Sequence, residues 1–264
     1  MDAASLNRDC DCVRPVPGWA AKGLPAEGPA SPPALGLTAP HLFADVPLFA
    51  DATDLDAIRG FVHAVDAAAA LTRERGALMG FDFHLTPEGP RLIEINTNAG
   101  GALLAVRTLD AVTPGDATAV FEAKVADMFR AEWEAAGKPG GRLRSVAILD
   151  QDPAMQFLFP EFLLYSEIFA RSGIEPVICA PGELVFDGTF LWARGQRVEL
   201  VYNRWTDFAL ATAEAAPLRA AWQAGAIALT PNPDIHAALS DKRRLVELSE
   251  RFPIVPPTVL VTPD

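Results

Sequence analysis

The chain has 264 residues, half of them hydrophobic and 21% charged, which is enough for one large or two small domains with a true core. Acidic residues outnumber basic ones by 34 to 22 for a formal net charge of −12, which argues against nucleic acid as a general partner but not against small anions bound locally. Three cysteines without a CxxC pair, no apolar run long enough to span a bilayer and no basic-then-apolar N-terminus argue against a disulfide framework, a membrane segment and a secretory signal, and fit a reducing cytoplasm.

Residues 1–40 are dense in Pro, Gly and Ala ("RPVPGWAAKGLPAEGPASPPALGLTAP") and predict an irregular arm, with Cys10 and Cys12 in it. A helix is expected over residues 54–75. Leu55, Ile58, Val62 and Val65 recur at helical spacing, Asp54 can cap the start, Gly76 can stop it, and His63 rides along as a structural residue. Residues 80–96 read as two strands joined by "TPEG", and residues 117–136 as a helix. "GKPGGR" at 137–142 is a break between units, with a second unit over 142–264.

In that second unit strands and helices alternate. "SVAILD" is a buried strand, "FPEFLLYSEIFARSG" a helix, "EPVICA" a strand, and "LVFDGTFLWARGQRVELVYNR" holds two or three more. "TAEAAPLRAAWQAG" is a helix interrupted by Pro217, "AIALTPNP" a strand, "LSDKRRLVELSERF" a helix and "PPTVLV" a last strand. Such alternation predicts a layered α/β fold with a mainly parallel sheet.

The stretch "RLIEINTNAGG" alternates Ile with a carboxylate and a carboxamide before two glycines. If "TPEG" forms a three-residue hairpin loop closed by Gly89, Thr86 pairs with Pro90 and Asp82 lies opposite Glu94. One face then carries Asp82, His84, Glu94 and Asn96, and the other Phe81, Phe83, Leu85, Ile93 and Ile95. Like charges placed opposite each other need a neutraliser. A hard dication suits two carboxylates and an amide oxygen, although a solvated acidic face is the plain alternative.

The segment "GFDFHLTPEGPRLIEINTNAGG" resembles the metal-binding strands of ATP-grasp ligases. "VELVYNRWTDF" and "TPNPDIHAALSDKRRLVEL" resemble the pre-ATP-grasp region, here placed after the metal motif as in circularly permuted members of that family, a group that includes glutathionylspermidine synthase-like and glutathione synthetase ATP-binding-like sequences. The resemblance implies a partial ATP-grasp domain over residues 41–136 and a pre-ATP-grasp α/β domain over 142–264. It also implies Asp82, Glu94 and Asn96 as ligands of Mg²⁺ or Mn²⁺, ATP as co-substrate, and an amide-forming reaction between a small-molecule carboxylate and an amine through an acyl phosphate. Lys242 matches a recurrent Asp-Lys of the permuted family and would contact the nucleotide. The lysine-bearing strand and glycine-rich flap of the family do not follow before "PPTVLVTPD", so the expectation is an incomplete ATP site, with weak Mg²⁺-ATP binding and no turnover. A non-catalytic binding or interaction module is the alternative. A metal-dependent hydrolase using Asp82, Glu94 and His84 is another, and lacks a further ligand at a convincing spacing.

Other candidates follow predicted strands. Arg204 could clamp a substrate carboxylate or phosphate as a catalytic residue, with Asn203 assisting at the cofactor, or could pair with Asp207 on the surface. Asp150 and Asp152 could serve the same crevice, but capping the following helix is the favoured role. His236 falls in a loop without a nameable partner, and Cys179 reads as core.

Overall fold

The computed structural model describes residues 2–9, 48–69, 74–112, 115–138 and 141–261. Most of the arm, with Cys10 and Cys12, and the centre of the "GKPGG" break therefore lie outside the described residues, as do residues 70–73 of the first expected helix. The part of the arm that is described is helical: α1 (Ala3–Asp9) is tied to the chain ahead of the next helix, because Asn7 exchanges two hydrogen bonds with the Phe49 backbone.

Helix α2 (Ala52–Ala68) starts earlier than the spacing predicts. Asp54 sits in its first turn, and Asp51 takes the capping position, though its carboxylate accepts from the Ala3 amide instead of capping. Strands β1 (Gly80–Thr86) and β2 (Gly89–Asn96) form a two-stranded antiparallel sheet. Then come α3 (Ala102–Val112), which the sequence reading missed, and α4 (Ala117–Ala135), which it placed correctly.

A four-stranded parallel sheet organises the rest. Its strands are β3 (Ser145–Leu149), β4 (Glu175–Cys179), β8 (Leu200–Asn203) and β9 (Ala228–Thr230), in the order β4-β3-β8-β9, with α5 (Phe159–Arg171) crossing from β3 to β4. Between β4 and β8 the chain makes a small antiparallel sheet of β5 (Leu184–Phe186), β6 (Leu191–Ala193) and β7 (Gln196–Val198). The fold is α/β, as the alternating pattern predicts.

Both faces of the parallel sheet are covered, which is why its strands are apolar without a break. Val146, Ile148, Leu200 and Tyr202 face α3, α4 and α5 through Leu103, Phe129, Phe162 and Phe169. Ala147, Leu149 and Val201 face the small sheet and α6 (Ala216–Gln223) through Leu191, Val198 and Leu218. The first of these cores takes side chains from both sides of the 137–141 break. A third core joins Phe61 and Val65 of α2 to Leu92 and Ile95 of β2, and to α7 (Pro233–Leu239) and α8 (Arg244–Arg251).

Several expectations are corrected. Pro217 lies in the first turn of α6, where its missing amide costs nothing, so it starts the helix instead of interrupting it. His236 is on a helix, α7, and its ring stacks on Phe208 at 3.9 Å between centroids. "PPTVLV" is not a strand: residues 256–261 carry no ladder, and Val261 is 91% exposed. Strand-forming side chains cannot make a strand where no edge accepts them. Among the described residues no helix is long and apolar enough to cross a membrane.

Candidate functional site: a carboxylate hairpin and a sheet crevice joined by one loop

The hairpin reaches the expected facing of Asp82 and Glu94 by a different route. Thr86 pairs with Gly89, not Pro90, so the loop has two residues, Pro87 and Glu88. Gly89 takes φ +102°, a conformation that favours glycine. Left alone, that turn would put Asp82 opposite Ile93 instead of Glu94. A bulge between Asp82 and Phe83 restores the pairing: Gly80, Phe81 and Asp82 face Asn96, Ile95 and Glu94, while Phe83 faces Leu92. Ile93 is the extra residue. It is 43% exposed, and Leu92 takes its place in the core. His84 consequently sits opposite Arg91, on the far side of the bulge from Asp82.

Asn96 closes the cluster. Its amide nitrogen lies 3.1 Å from Asp82 Oδ2 and 3.1 Å from Glu94 Oε1. Lys242 arrives from the turn before α8 and places Nζ 3.1 Å from Glu94 Oε2. That turn is held beside β2 because the Thr97 amide donates to Ser240 Oγ, which in turn donates to Thr97 Oγ1. The Asn96 amide and the Lys242 ammonium hold the Glu94 carboxyl below its ordinary value. Among the described residues no group of three or more His, Cys, Asp or Glu side chains could hold a metal. A cation at this face would therefore use Asp82, Glu94 and, after half a rotation of its amide, Asn96 Oδ1. Three hard oxygens fit Mg²⁺ or Mn²⁺ when phosphate oxygens and water complete the octahedron.

The second group lies outside the carboxyl ends of β3 and β8. The chain leaves β3 toward β4 on one side and β8 toward β9 on the other, so the gap between β3 and β8 is the switch point of the sheet, where α/β folds bind ligands. Asp150 follows β3 and Arg204 follows β8, and the Arg204 amide donates to Leu149 O at 2.8 Å. Asp150 is 8% exposed and Glu161, on α5, is 0% exposed. Glu161 accepts the amides of Gly101 (2.7 Å) and Leu103 (2.9 Å), supplying the negative charge that the start of α3 favours. Burial pushes the Asp150 carboxyl up to about 6, against the pull of the Gln151 amide and Arg204, and raises Glu161 for the same reason. Burial likewise pushes the Tyr202 hydroxyl to about 12. Burial disfavours the Arg204 cation, but Tyr202, Glu161 and Asp150 more than compensate and hold it raised.

Residues 97–101 join the two groups. Asn98 Nδ2 donates to Arg204 O, Tyr202 Oη donates to Ala99 O, and Gly100 lies over the guanidinium. A Cβ on Gly100 would come within 2.5 Å of Arg204 Nη2 and 2.4 Å of Leu158 Cδ1, so a side chain there would have to push the ends of both aside.

The structure brings Asp82, Glu94, Asn96 and Lys242 onto one face, with Arg204 one loop away. Asn203 ends β8 beside Arg204 and opposite Leu149, but it is 1% exposed and its Oδ1 accepts the Trp205 amide. Arg204 does not pair with Asp207, whose carboxylate accepts the Ala211 and Thr212 amides. Asp150 and Asp152 do not cap a helix by their side chains. Asp150 accepts the amide of Gln151, and Asp152 adopts φ +44° ahead of a 3₁₀ turn. Cys179 is core, its thiol pushed up to about 12 by burial. Glu161 was missed by the sequence reading, although a lone acid on the apolar face of "PEFLLYSEIF" is the signal that could have found it.

No family model matches the chain, and no curated protein does. Among solved structures, a glutathione synthetase-like effector (GSS30) from Globodera pallida, in its apo form, aligns with 18% identity and a TM-score of 0.45, over 76% of this chain and 51% of that one. The chain thus spans about half the length of that protein.

Proposed function

We propose that the chain is an ATP-grasp-like protein of circularly permuted order, whose hairpin face binds a divalent cation together with ATP in the service of a carboxylate–amine ligation. The observation that carries this reading is the convergence of Asp82, Glu94 and Asn96 within hydrogen-bond reach, with Lys242 beside Glu94. Two facing carboxylates are unfavourable without a cation, and the same face offers an ammonium to a phosphate. In the reaction proposed, a carboxylate oxygen takes the γ-phosphoryl group of ATP, releasing ADP. The amine nitrogen then attacks the acyl carbon, phosphate leaves and the amine gives up a proton. Bound Mg²⁺ or Mn²⁺ would supply charge neutralisation of the phosphates. Asp82, Glu94 and Asn96 would hold it, Lys242 would orient the phosphates, and Arg204 would position the acid. A cytoplasmic setting and small-molecule acid and amine partners belong to the same proposal.

One observation favours a second reading. Lys242 already neutralises Glu94 in this structure and the Asn96 amide hydrogen-bonds it, as they would in a binding module that no longer turns ATP over. Calorimetry with ATP in the presence and absence of Mg²⁺ tests the common part. Binding should require the metal and weaken about tenfold or more in Glu94→Gln. Metal-independent binding, or an unchanged variant, defeats both readings. ADP release that depends on an added acid and amine separates ligase from module.

A further inference from the structure

Arg204 is half-buried, and its Nε and Nη1 are closed to solvent and have no hydrogen-bond partner among the described residues. Buried donors on a cation are expensive to leave unpaired, and such gaps in a folded chain mark places where another group pairs with them in the working state. Tyr202 lies against the guanidinium but donates its hydroxyl to Ala99 O, and the two acids that could have served are otherwise engaged. Glu161 spends both oxygens on the start of α3, and Asp150 accepts its own neighbour's amide while facing Arg204.

We propose that Arg204 and Asp150 form a subsite for an amino-acid-type ligand, Arg204 taking its carboxylate and Asp150 its α-ammonium group. The location is the switch point of the parallel sheet, between the carboxyl ends of β3 and β8. Charge selects the class of ligand. A plain anion would add a third negative group to an arginine already faced by Asp150 and Glu161, whereas a zwitterion brings a cation for the carboxylate left over. A plain amine would leave the arginine donors unpaired. The cover over the guanidinium is Gly100, followed by Gly101 at φ +89°. A glycine pair is the stretch of backbone that moves off a ligand with least steric resistance. Because residues 97–101 continue directly from Asn96, a ligand seated on Arg204 lies one loop from the hairpin face.

The inference deepens the ligase reading by naming a substrate class, but binding itself is measured without metal or nucleotide, so each can fail alone. Ligand-observed NMR of the whole chain with each of the twenty common amino acids at millimolar concentration should find at least one binder. The matched acid without the amine, and the matched amine without the acid, should bind about tenfold or more weakly, as should Arg204→Lys and Asp150→Asn. Glu94→Gln should keep amino-acid binding while losing Mg²⁺-ATP. Absence of any amino-acid binder overturns the proposal. So does equal binding of the acid alone or the amine alone, or wild-type affinity in a folded Asp150→Asn chain. If Arg204→Lys fails to fold, Asp150→Asn and the analogue series decide.

Discussion

The hairpin face and the sheet crevice hold the same kinds of groups under opposite regimes. At the hairpin, Glu94 is open enough to water that partners dominate, and Asn96 and Lys242 depress its pKa. In the crevice, Asp150 and Glu161 sit in the core and burial dominates, raising both in spite of Arg204 and the backbone amides. Charge at the hairpin is therefore cheap and exchangeable, and charge in the crevice is expensive and fixed. The proposed metal-nucleotide face would belong to the first regime. A subsite that must be selective belongs to the second.

The sharpest way to break that contrast is to remove a charge from each side. Glu161→Gln leaves an amide at the start of α3 unpaired and Arg204 less compensated, and should cost about 3–5 kcal/mol in urea denaturation. Glu94→Gln should cost less than about 1 kcal/mol, since its ion pair with Lys242 is solvent-exposed. Similar losses at the two positions would end the distinction. Next in size is Gly100→Ala, which drives a methyl into Leu158 and Arg204 and should cost about 1–3 kcal/mol. Gly182→Ala meets nothing within 4 Å and serves as the control, with a change below about 1 kcal/mol.

The two regimes also predict opposite responses to pH. Asp150 keeps its proton in the folded chain up to about 6, while the unfolded chain loses it near 3.8. Between those values the folded state binds the extra proton, so stability falls as pH rises through that window and stays lower above it. Asp150→Asn should flatten this limb and gain about 1–2 kcal/mol at pH 7, in a chain whose amino-acid binding is lost. Glu94 works the other way. Its lowered pKa contributes stability above the ordinary 4.5 that disappears as pH falls through the folded value, so Glu94→Gln should alter only the acid limb. Denaturation at a series of pH values reads both.

How much of this was legible in the sequence follows the same division. The hairpin is local, and the sequence put Asp82 opposite Glu94 through a three-residue loop, a facing that the structure reaches instead through a two-residue loop and a bulge. The turn type was not legible, because "TPEG" suits both a two- and a three-residue loop and the bulge at Ile93 is settled by which of Leu92 and Ile93 packs against α2. The parallel strands showed as unbroken apolar runs. Helix α7 was hidden by Pro231 and Pro233 at its start, and "PPTVLV" looked like a strand because propensity cannot report whether a pairing edge exists. The crevice was the least legible part. Glu161 and the amides it holds are about sixty residues apart, a separation that no spacing rule spans, and the close approach at Gly100 depends on where Leu158 and Arg204 come to rest.

The smallest expected effect on stability tests the hairpin most closely. Lys242 is largely exposed and its pair with Glu94 is a single contact of 3.1 Å, so Lys242→Met should change stability by less than about 0.5 kcal/mol. Its effect on ligands should be larger and should have two signs. Without nucleotide, the ammonium competes with a divalent cation for Glu94, so its removal should tighten the binding of Mn²⁺ alone, read by the paramagnetic broadening of solvent or side-chain signals. With ATP present, the same ammonium is a phosphate donor, so its removal should weaken Mg²⁺-ATP binding by roughly tenfold. Tighter Mn²⁺ together with weaker ATP assigns Lys242 a place between metal and phosphate. If both ligands bind more tightly, the lysine is only a counter-ion that neutralises an acidic face, and the nucleotide reading of the hairpin loses its one phosphate donor.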